Sequence, residues 1–210
     1  MQLDKEDTER VSNFYTDLLH KNGVNDAQTL NWTNKRNQLV RFDTLTKIGD
    51  LQNKKILDFG CGLGDLYDFL QSNKIITDYH GIDITPEFIE EAKKKYPNGK
   101  FLLGDIFDVK EKYDYVFASG SLSFKVKDND NFYKSIVKKL YEIADTGVAF
   151  NMLDERYYSG DEIYAVYNAE DMLEFCKTFS AKTYLIQEYV DGDFTIFMYK
   201  DSQAELPKFN

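Results

Sequence analysis

Three glycines at alternate positions are the residues of this chain most suggestive of chemistry. Gly60, Gly62 and Gly64 follow a short apolar run, residues 56–59, in which Asp58 is the single acid. A strand that leads through a glycine turn into a helix is how α/β proteins hold nucleotide-like ligands. Glycine has no Cβ, so the backbone of such a turn can come close to a ligand. The pattern predicts a binding turn, and a tight strand-to-helix turn without ligand is the alternative.

The spacing of these glycines differs from two common phosphate-binding motifs. A dinucleotide turn reads G-x-G-x-x-G, and a P-loop ends in Gly-Lys-Ser/Thr. Here the third glycine comes one position early, and Asp65 occupies the place that the dinucleotide motif gives to glycine. An acid at a helix N-terminus repels phosphate. We therefore expect a ligand that is not rich in phosphate.

Two further acids end the next predicted strands. Asp83 lies about 20 residues beyond the glycine turn, where a carboxylate can accept hydrogen bonds from both hydroxyls of a ribose. Thr85 is the expected cap of the following helix, with Pro86 at its first position, and this leaves Asp83 available for the ribose. Asp105 follows the third strand and can accept a hydrogen bond from an exocyclic amine. An exposed turn aspartate is the alternative for Asp105.

The segment from Asp58 to Gly64 resembles motif I, E/D-x-G-x-G-x-G, of the class I S-adenosylmethionine (SAM) dependent methyltransferases. The resemblance covers about residues 50–200 and depends on the order and spacing of several motifs. It implies SAM as the cofactor, S-adenosylhomocysteine (SAH) as the product, and no metal. It also implies that Asp83 binds the ribose, Asp105 faces the adenine amino group and Ile106 packs on the ring. The predicted cofactor-binding residues are Tyr15, Arg41, Asp58, Gly60, Cys61, Gly62, Gly64, Leu66, Asp83, Ile84, Gly104, Asp105, Ile106, Ser119 and Gly120.

The fourth predicted strand, residues 113–120, corresponds to motif IV of that family, whose end faces the transferred methyl group. Ser119 and Gly120 could present carbonyls to the SAM ammonium group, and Ser121 a hydroxyl to the acceptor. Base N-methyltransferases of this fold carry an Asp/Asn-Pro-Pro-aromatic segment here, which this chain lacks. Methylation of DNA or RNA bases is therefore disfavoured.

The acceptor side is expected near the N-terminal helices and at residues 151–158, a polar and aromatic segment after the fifth strand. The predicted acceptor contacts are Trp32, Ser121, Asn151, Arg156, Tyr157 and Tyr158. No obvious general base is present, and the candidates are Asp154, Tyr157 and Ser121. Arg41 could hold a carboxylate through a two-pronged bond, with solvation at the surface as the alternative. His20 and His80 are interpreted as structural residues.

The amino-acid composition and net charge limit the classes of protein to which this chain can belong. The 210 residues are 42% hydrophobic, which is sufficient for one sizeable core, and their net charge is −10. Because neutralised phosphates supply most of the affinity for nucleic acids, this charge disfavours DNA or RNA as a partner. The apolar runs are too short to cross a membrane, the N-terminus is polar, and the two cysteines show no metal-ligand spacing. We expect a cytoplasmic monomer or homodimer with free thiols.

The order of predicted elements describes the scaffold. Helices are predicted at residues 4–20, 35–48, 66–72 and 170–179, and strands alternate with helices through residues 147–152. This alternation indicates a parallel sheet covered on both faces. The last two strands, at about residues 182–189 and 194–200, have a link too short for a parallel crossover, so they pair antiparallel.

The resemblance implies an α/β fold in three α/β/α layers. It has a seven-stranded, mostly parallel, doubly wound sheet with a C-terminal antiparallel strand, and an N-terminal helical extension. We expect one domain over residues 1–210, with N-terminal helices at residues 1–50 that cap the site and a Rossmann-like core at residues 51–200.

These observations favour a SAM-dependent methyltransferase that acts on an oxygen or nitrogen of a small molecule. Transfer of a methyl group from a sulfonium neutralises charge, so alignment and exclusion of water are the main contributions that the protein can make. A protein methyltransferase of the same fold and a SAM-binding protein without catalysis are the alternatives. A dehydrogenase is disfavoured by Asp65.

Overall fold

The computed structural model describes residues 3–24, 27–30, 35–160 and 163–206. Its helices are α1 (Lys5–Asn22), α2 (Lys35–Thr46), α3 (Asp65–Ser72), α4 (Pro86–Lys95), α5 (Asn129–Ile143) and α6 (Ala169–Lys177). Its strands are β1 (Lys55–Phe59), β2 (Asp78–Asp83), β3 (Lys100–Leu103), β4 (Tyr113–Ala118), β5 (Ala144–Leu153), β6 (Lys182–Ile186) and β7 (Asp193–Tyr199). Short 3-10 turns occur at Ala27–Leu30 and Ile106–Asp108.

The seven strands form one sheet in the order β3-β2-β1-β4-β5-β7-β6. Neighbours among β1 to β5 are parallel, and β7 runs antiparallel to both β5 and β6. The predicted seven-stranded, mostly parallel sheet with a reversed final strand is confirmed. The reversed strand β7 lies inside the sheet, between β5 and β6, and its short link to β6 makes these two strands a hairpin.

The central strands of the sheet are buried on both faces, which is why they are rich in apolar residues. On β4, Val116 and Phe117 point to opposite faces and belong to separate core clusters. One cluster includes Leu140 of α5 and Met172 of α6, and the other includes Leu70 of α3. The helices therefore form a layer on each side of the sheet.

The strand order reverses between β1 and β4. The strands β2 and β3 lie on one side of β1, and β4 and all later strands lie on the other side. In open α/β sheets, ligands bind in the crevice outside the carboxyl ends of the strands at such a point. The glycine turn follows β1, and residues 119–121 follow β4. The topology thus brings the two most informative motifs of the sequence to one crevice.

The two N-terminal helices take different positions. On α1, Leu19 packs with Leu63 and Phe88, which places this helix over the carboxyl edge of the sheet. Lys127, in the loop before α5, forms ion pairs of 2.9 Å with Asp4 and 2.8 Å with the carboxylate of Glu6. In contrast, α2 packs against β5, β7 and α3, so it belongs to a layer of the sheet. Among the described helices, none has the length and apolar character needed to cross a bilayer.

Gly64 is packed tightly against the core. Its backbone has a φ of +81°, and a Cβ at this position would lie 2.9 Å from the ring of Phe101. Gly64→Ala should lower the free energy of unfolding by on the order of 2–4 kcal/mol, because backbone strain and overpacking add. The double variant Gly64→Ala/Phe101→Leu is the control, because the smaller side chain leaves room for the added Cβ while the φ of residue 64 stays positive. Measured against Phe101→Leu alone, replacement of the glycine should then cost only the backbone strain, about 1 kcal/mol. Equal losses in the two backgrounds in urea unfolding would show that packing against Phe101 does not matter.

Candidate active site

Two adjoining cavities occupy the crevice at the carboxyl edge of the sheet. The first cavity, with about 1040 Å³ of empty space including its mouth, lies between the glycine turn and α1. The second cavity, of about 950 Å³, lies beyond the ends of β5 and β7. Tyr15, Leu30 and Gly120 line both cavities. The two spaces therefore meet where the loop after β4 faces α1.

The glycine turn packs closely against two neighbours, Ser121 and Leu30. Gly60, Gly62 and Gly64 have φ values of +70°, +52° and +81°, in the left-handed region that disfavours other residues. A Cβ at Gly60 would collide with the Cβ of Ser121, and a Cβ at Gly62 would lie 2.8 Å from Leu30 Cδ2. The alternate glycines are required because the turn passes close to the loop after β4 and beneath Leu30.

Asp83 organises this turn as well as lining the first cavity. One of its carboxylate oxygens accepts from the backbone N–H of Gly62 at 3.0 Å, and the other from that of Thr85 at 2.8 Å. The expectation that Thr85 caps α4 and releases Asp83 is wrong in this respect. Thr85 occupies the N-cap position, but its side chain makes no capping hydrogen bond. Asp83 thus accepts hydrogen bonds from the backbone of the glycine turn and from the residue before α4, and its carboxylate still lines the first cavity.

Two other acids of the first cavity have raised pKa values. Burial raises the pKa of Asp58 to about 7, although the hydroxyl of Tyr79 donates to this carboxylate at 2.7 Å and opposes the shift. Burial also raises the pKa of Asp105, one of whose oxygens accepts from the backbone N–H of Phe107 at 2.9 Å. A positive charge placed among these acids would lower each pKa again, since it stabilises the ionised form.

The first cavity is acidic. Among the described residues that line it, the charged side chains are Asp58, Asp65, Asp83 and Asp105, with no lysine, arginine or histidine. Asp65 accepts from Gln38 at 2.9 Å, and Lys35 and Lys95 lie 3.4 and 3.6 Å from its carboxylate. Among the described residues that line the cavity, no lysine or arginine pairs with Asp58, Asp83 or Asp105. Such a cavity favours a cationic ligand and disfavours one that is rich in phosphate.

The structure brings most of the predicted cofactor-binding residues to this cavity. The predicted residues that line it are Tyr15, Asp58, Gly60, Cys61, Gly62, Leu66, Asp83, Ile84, Asp105, Ser119 and Gly120. Cys61 is a free, buried thiol whose pKa is raised by burial, as is the thiol of Cys176 in the core. No group of His, Cys, Asp or Glu side chains in the described part of the chain is arranged to hold a metal ion.

Four predicted cofactor residues lie elsewhere. Ile106 is only 1% exposed and packs in the core, because the turn capped by Asp105 directs it inward. Gly64 faces the ring of Phe101, and Gly104 donates its N–H to the carbonyl of Asp83 at 3.0 Å. Arg41 lines the second cavity instead of the first. For Ile106 and Arg41, the structure therefore corrects the position that the sequence suggested.

A buried ion pair in the second cavity was missed by sequence reasoning. The Nε of Arg41 donates to the carboxylate of Asp193, and both side chains are almost completely buried. Burial raises the pKa of Asp193, and the guanidinium of Arg41 opposes the shift. In the sequence, Asp193 ends a short polar link between two strands, and nothing nearby marks it as the partner of an arginine on α2.

Two polar residues hold the loop after β4 in place. The Oδ1 of Asn151 accepts from the backbone N–H of Gly120 at 2.8 Å, and its Nδ2 donates to Ser119 Oγ at 3.3 Å. The hydroxyl of Ser121 donates to the carbonyl of Phe59 at 2.9 Å, which joins the ends of β1 and β4. Asn151 lines the second cavity and Ser121 the first, so each contributes to a wall while it positions the loop.

The other predicted acceptor residues divide into two groups. Tyr158 lines the second cavity, whereas Arg156 and Tyr157 lie outside both cavities. Arg156 binds Asp154 through its side chain, at distances from 2.6 to 3.1 Å, and its hydrogen bonds hold the pKa of Asp154 below the ordinary value. Asp154 is therefore a poor general base, and Tyr157 is half exposed. Trp32 lies outside the described residues.

Comparison with known proteins identifies the family. Residues 50–191, more than half of the chain, match the family model described as a methyltransferase domain. The chain belongs to this family of methyltransferases. A Mycobacterium tuberculosis protein that is provisionally named a methyltransferase is 28% identical over 157 residues, which are 70% of this chain and 93% of that protein.

Two other similarities show how widely the acceptors of related proteins vary. A ribosomal RNA small subunit methyltransferase A of Mesomycoplasma hyopneumoniae is 33% identical over 114 residues, 48% of this chain and 42% of that protein. The crystal structure of a magnesium protoporphyrin IX methyltransferase from Synechocystis PCC 6803, with bound SAH, has a TM-score of 0.67 and 16% identity. That match covers 94% of this chain and 100% of the other. The expected class I methyltransferase fold is confirmed.

The raised pKa of Asp58 predicts how the stability of this methyltransferase depends on pH. Its folded-state pKa of about 7 exceeds the ordinary value of 3.8, so the folded state binds the proton more tightly than the unfolded state. The free energy of unfolding should therefore fall as pH rises from about 5.5 to about 8. Asp58→Asn should make the decrease in the free energy of unfolding with pH smaller, as measured by urea unfolding at several pH values. Asp83 and Asp105, whose pKa values are also raised, account for part of the decrease that the variant retains.

Asp154→Asn is the control for this pH prediction. Because the pKa of Asp154 is lowered, its ionisation stabilises the fold, and that contribution is lost only at a pH below the ordinary carboxyl pKa. The variant should leave the slope from about pH 5.5 to about pH 8 unchanged. An Asp58→Asn protein with the wild-type slope would contradict the assignment of a raised pKa to Asp58.

Proposed function

We propose that this methyltransferase binds SAM in the first cavity and transfers its methyl group to an oxygen or nitrogen of a small molecule in the second cavity. The observation that carries the proposal is the junction of the two spaces at Tyr15, Leu30 and Gly120. A donor and an acceptor on either side of this junction would lie next to each other, which is the arrangement that in-line displacement requires.

The charge of the first cavity supports SAM as its ligand. SAM carries a sulfonium and an ammonium group together with one carboxylate, so its net charge is positive, and when bound it supplies an electrophilic methyl group. The acids of the cavity complement these positive charges, and no lysine or arginine among its described lining residues is available for a phosphate-rich competitor. Asp83 would hold the ribose, Asp105 the adenine amino group, and Gly120 the region next to the methyl group. Ile84 replaces Ile106 as the apolar residue that contacts the adenine.

The chain would contribute alignment and exclusion of water. Tyr15 on α1 covers the junction, where its ring packs at 5.8 Å from that of Phe88 and 6.1 Å from that of Phe124. Water excluded by these rings can neither solvate nor compete with the acceptor.

Thermal-shift titration tests the donor. SAH, NAD and ATP are added separately to the full chain, because a ligand that binds only the native state raises the melting temperature. We expect a shift with SAH and none with NAD or ATP, since the acids of the first cavity disfavour phosphate. A shift with NAD or ATP alone, or no shift with SAH, would overturn the proposal.

Asp83→Ala tests the ribose contact. The variant should bind SAM more weakly by on the order of 1–3 kcal/mol in isothermal titration, because it loses hydrogen bonds to the ribose and the anchor of the glycine turn. Asp83→Asn keeps one oxygen that can accept one of the two backbone hydrogen bonds, so its affinity for SAM should lie between those of Asp83→Ala and the wild type. Asp17→Ala, at an exposed position on α1, is the control and should bind as the wild type does. Unchanged affinity in Asp83→Ala would place the ribose elsewhere.

A further inference from the structure

The second cavity contains two opposite charges that cancel. The side chains of Arg41 and Asp193 are 7% and 2% exposed and form an ion pair. The other described residues that line this cavity are uncharged. Within the described part of its wall, the cavity therefore has no net charge, whereas the first cavity is acidic.

The ion pair is built into the packing of the sheet. Asp193 begins β7, where it lies opposite Leu153 of β5 in the antiparallel register. Since α2 packs against both β5 and β7, it places Arg41 next to that position. Removing one partner of a buried pair leaves a charge without compensation, which is strongly unfavourable. A ligand that separates the two side chains would meet the same penalty.

The rest of the wall combines hydroxyl groups with apolar surface. Ser123, Tyr158 and Tyr164 bring hydroxyls, and Met152 and Leu153 bring apolar side chains. The polar atoms of Asn151 already bind the loop after β4. These surfaces suit a molecule with an apolar or aromatic body and a hydroxyl group that forms hydrogen bonds.

We propose that the Arg41–Asp193 pair makes the second cavity selective for an electrically neutral acceptor, of the class of phenols and other uncharged hydroxyl compounds. This inference rests on the proposed function, since it names the acceptor class for the same site. Because the charges of Arg41 and Asp193 already compensate each other, a charged ligand either lies beside the like charge of the pair or must break the pair to reach the opposite charge. A neutral hydroxyl compound leaves the pair intact.

Three probes of similar shape and different charge test this selectivity. The probes are para-ethylphenol, para-ethylbenzoate and para-ethylbenzylamine, which at neutral pH are neutral, anionic and cationic. Their affinities are measured by ligand-observed NMR on the full chain, with and without saturating SAH. We expect the phenol to bind on the order of tenfold more tightly than either charged probe. A charged probe that binds as tightly as the phenol, or no binding by any probe, would overturn the inference.

Single variants should invert the preference. Asp193→Asn leaves the guanidinium without its carboxylate, so the benzoate should become the tightest of the three probes. Arg41→Gln leaves the carboxylate, so the protonated amine should become the tightest. An unchanged order of affinities in a folded single variant would show that the pair does not set specificity.

The double variant Arg41→Gln/Asp193→Asn keeps the test decisive if the single variants fail to fold. It removes both charges at similar shape, so a charged probe meets neither repulsion nor a pair that it must break, and the preference for the phenol should fall well below tenfold. A folded double variant that keeps the full tenfold preference would overturn the inference. Absence of SAH binding with the phenol preference intact would count against the proposed function alone, because the probes are also measured without SAH.

Discussion

The close contact between the glycine turn and the loop after β4 is the constraint on which the site depends. At Gly60 a side chain would collide with Ser121, whose hydroxyl binds the carbonyl of Phe59 at the end of β1. Asn151 extends this contact by holding Gly120 from the end of β5. The two halves of the sheet are thereby joined at the point where the strand order reverses. A change in either loop would move the junction of the two cavities.

The two cavities differ in charge in a way that matches the chemistry of methyl transfer. A cationic donor suits the acidic first cavity, and an uncharged acceptor suits the second cavity, where Arg41 and Asp193 compensate each other. Asp83 contributes to both structure and binding, because its carboxylate orders the glycine turn while it faces the first cavity. The residues that shape the site are thus the residues that set its electrostatics.

The helix that covers the site is held mainly by apolar contacts. The ion pairs of Lys127 with Asp4 and Glu6 are exposed, and exposed pairs contribute little to stability. Leu19 and Phe88 are buried against each other, so they supply more of the attachment of α1. Tyr15 lies on the same helix and therefore keeps its place at the junction through this packing.

The sequence by itself determined the features that depend on neighbouring residues. The apolar runs predicted the strands, the alternate glycines predicted the turn, and acids at strand ends predicted Asp83 and Asp105 at the crevice. The tertiary structure decided the contacts between distant segments. Arg41 and Asp193 meet only because α2 packs on β5 and β7. The inward direction of Ile106 and the second hydrogen bond of Asp83 likewise depend on packing and backbone geometry, which local sequence patterns do not encode.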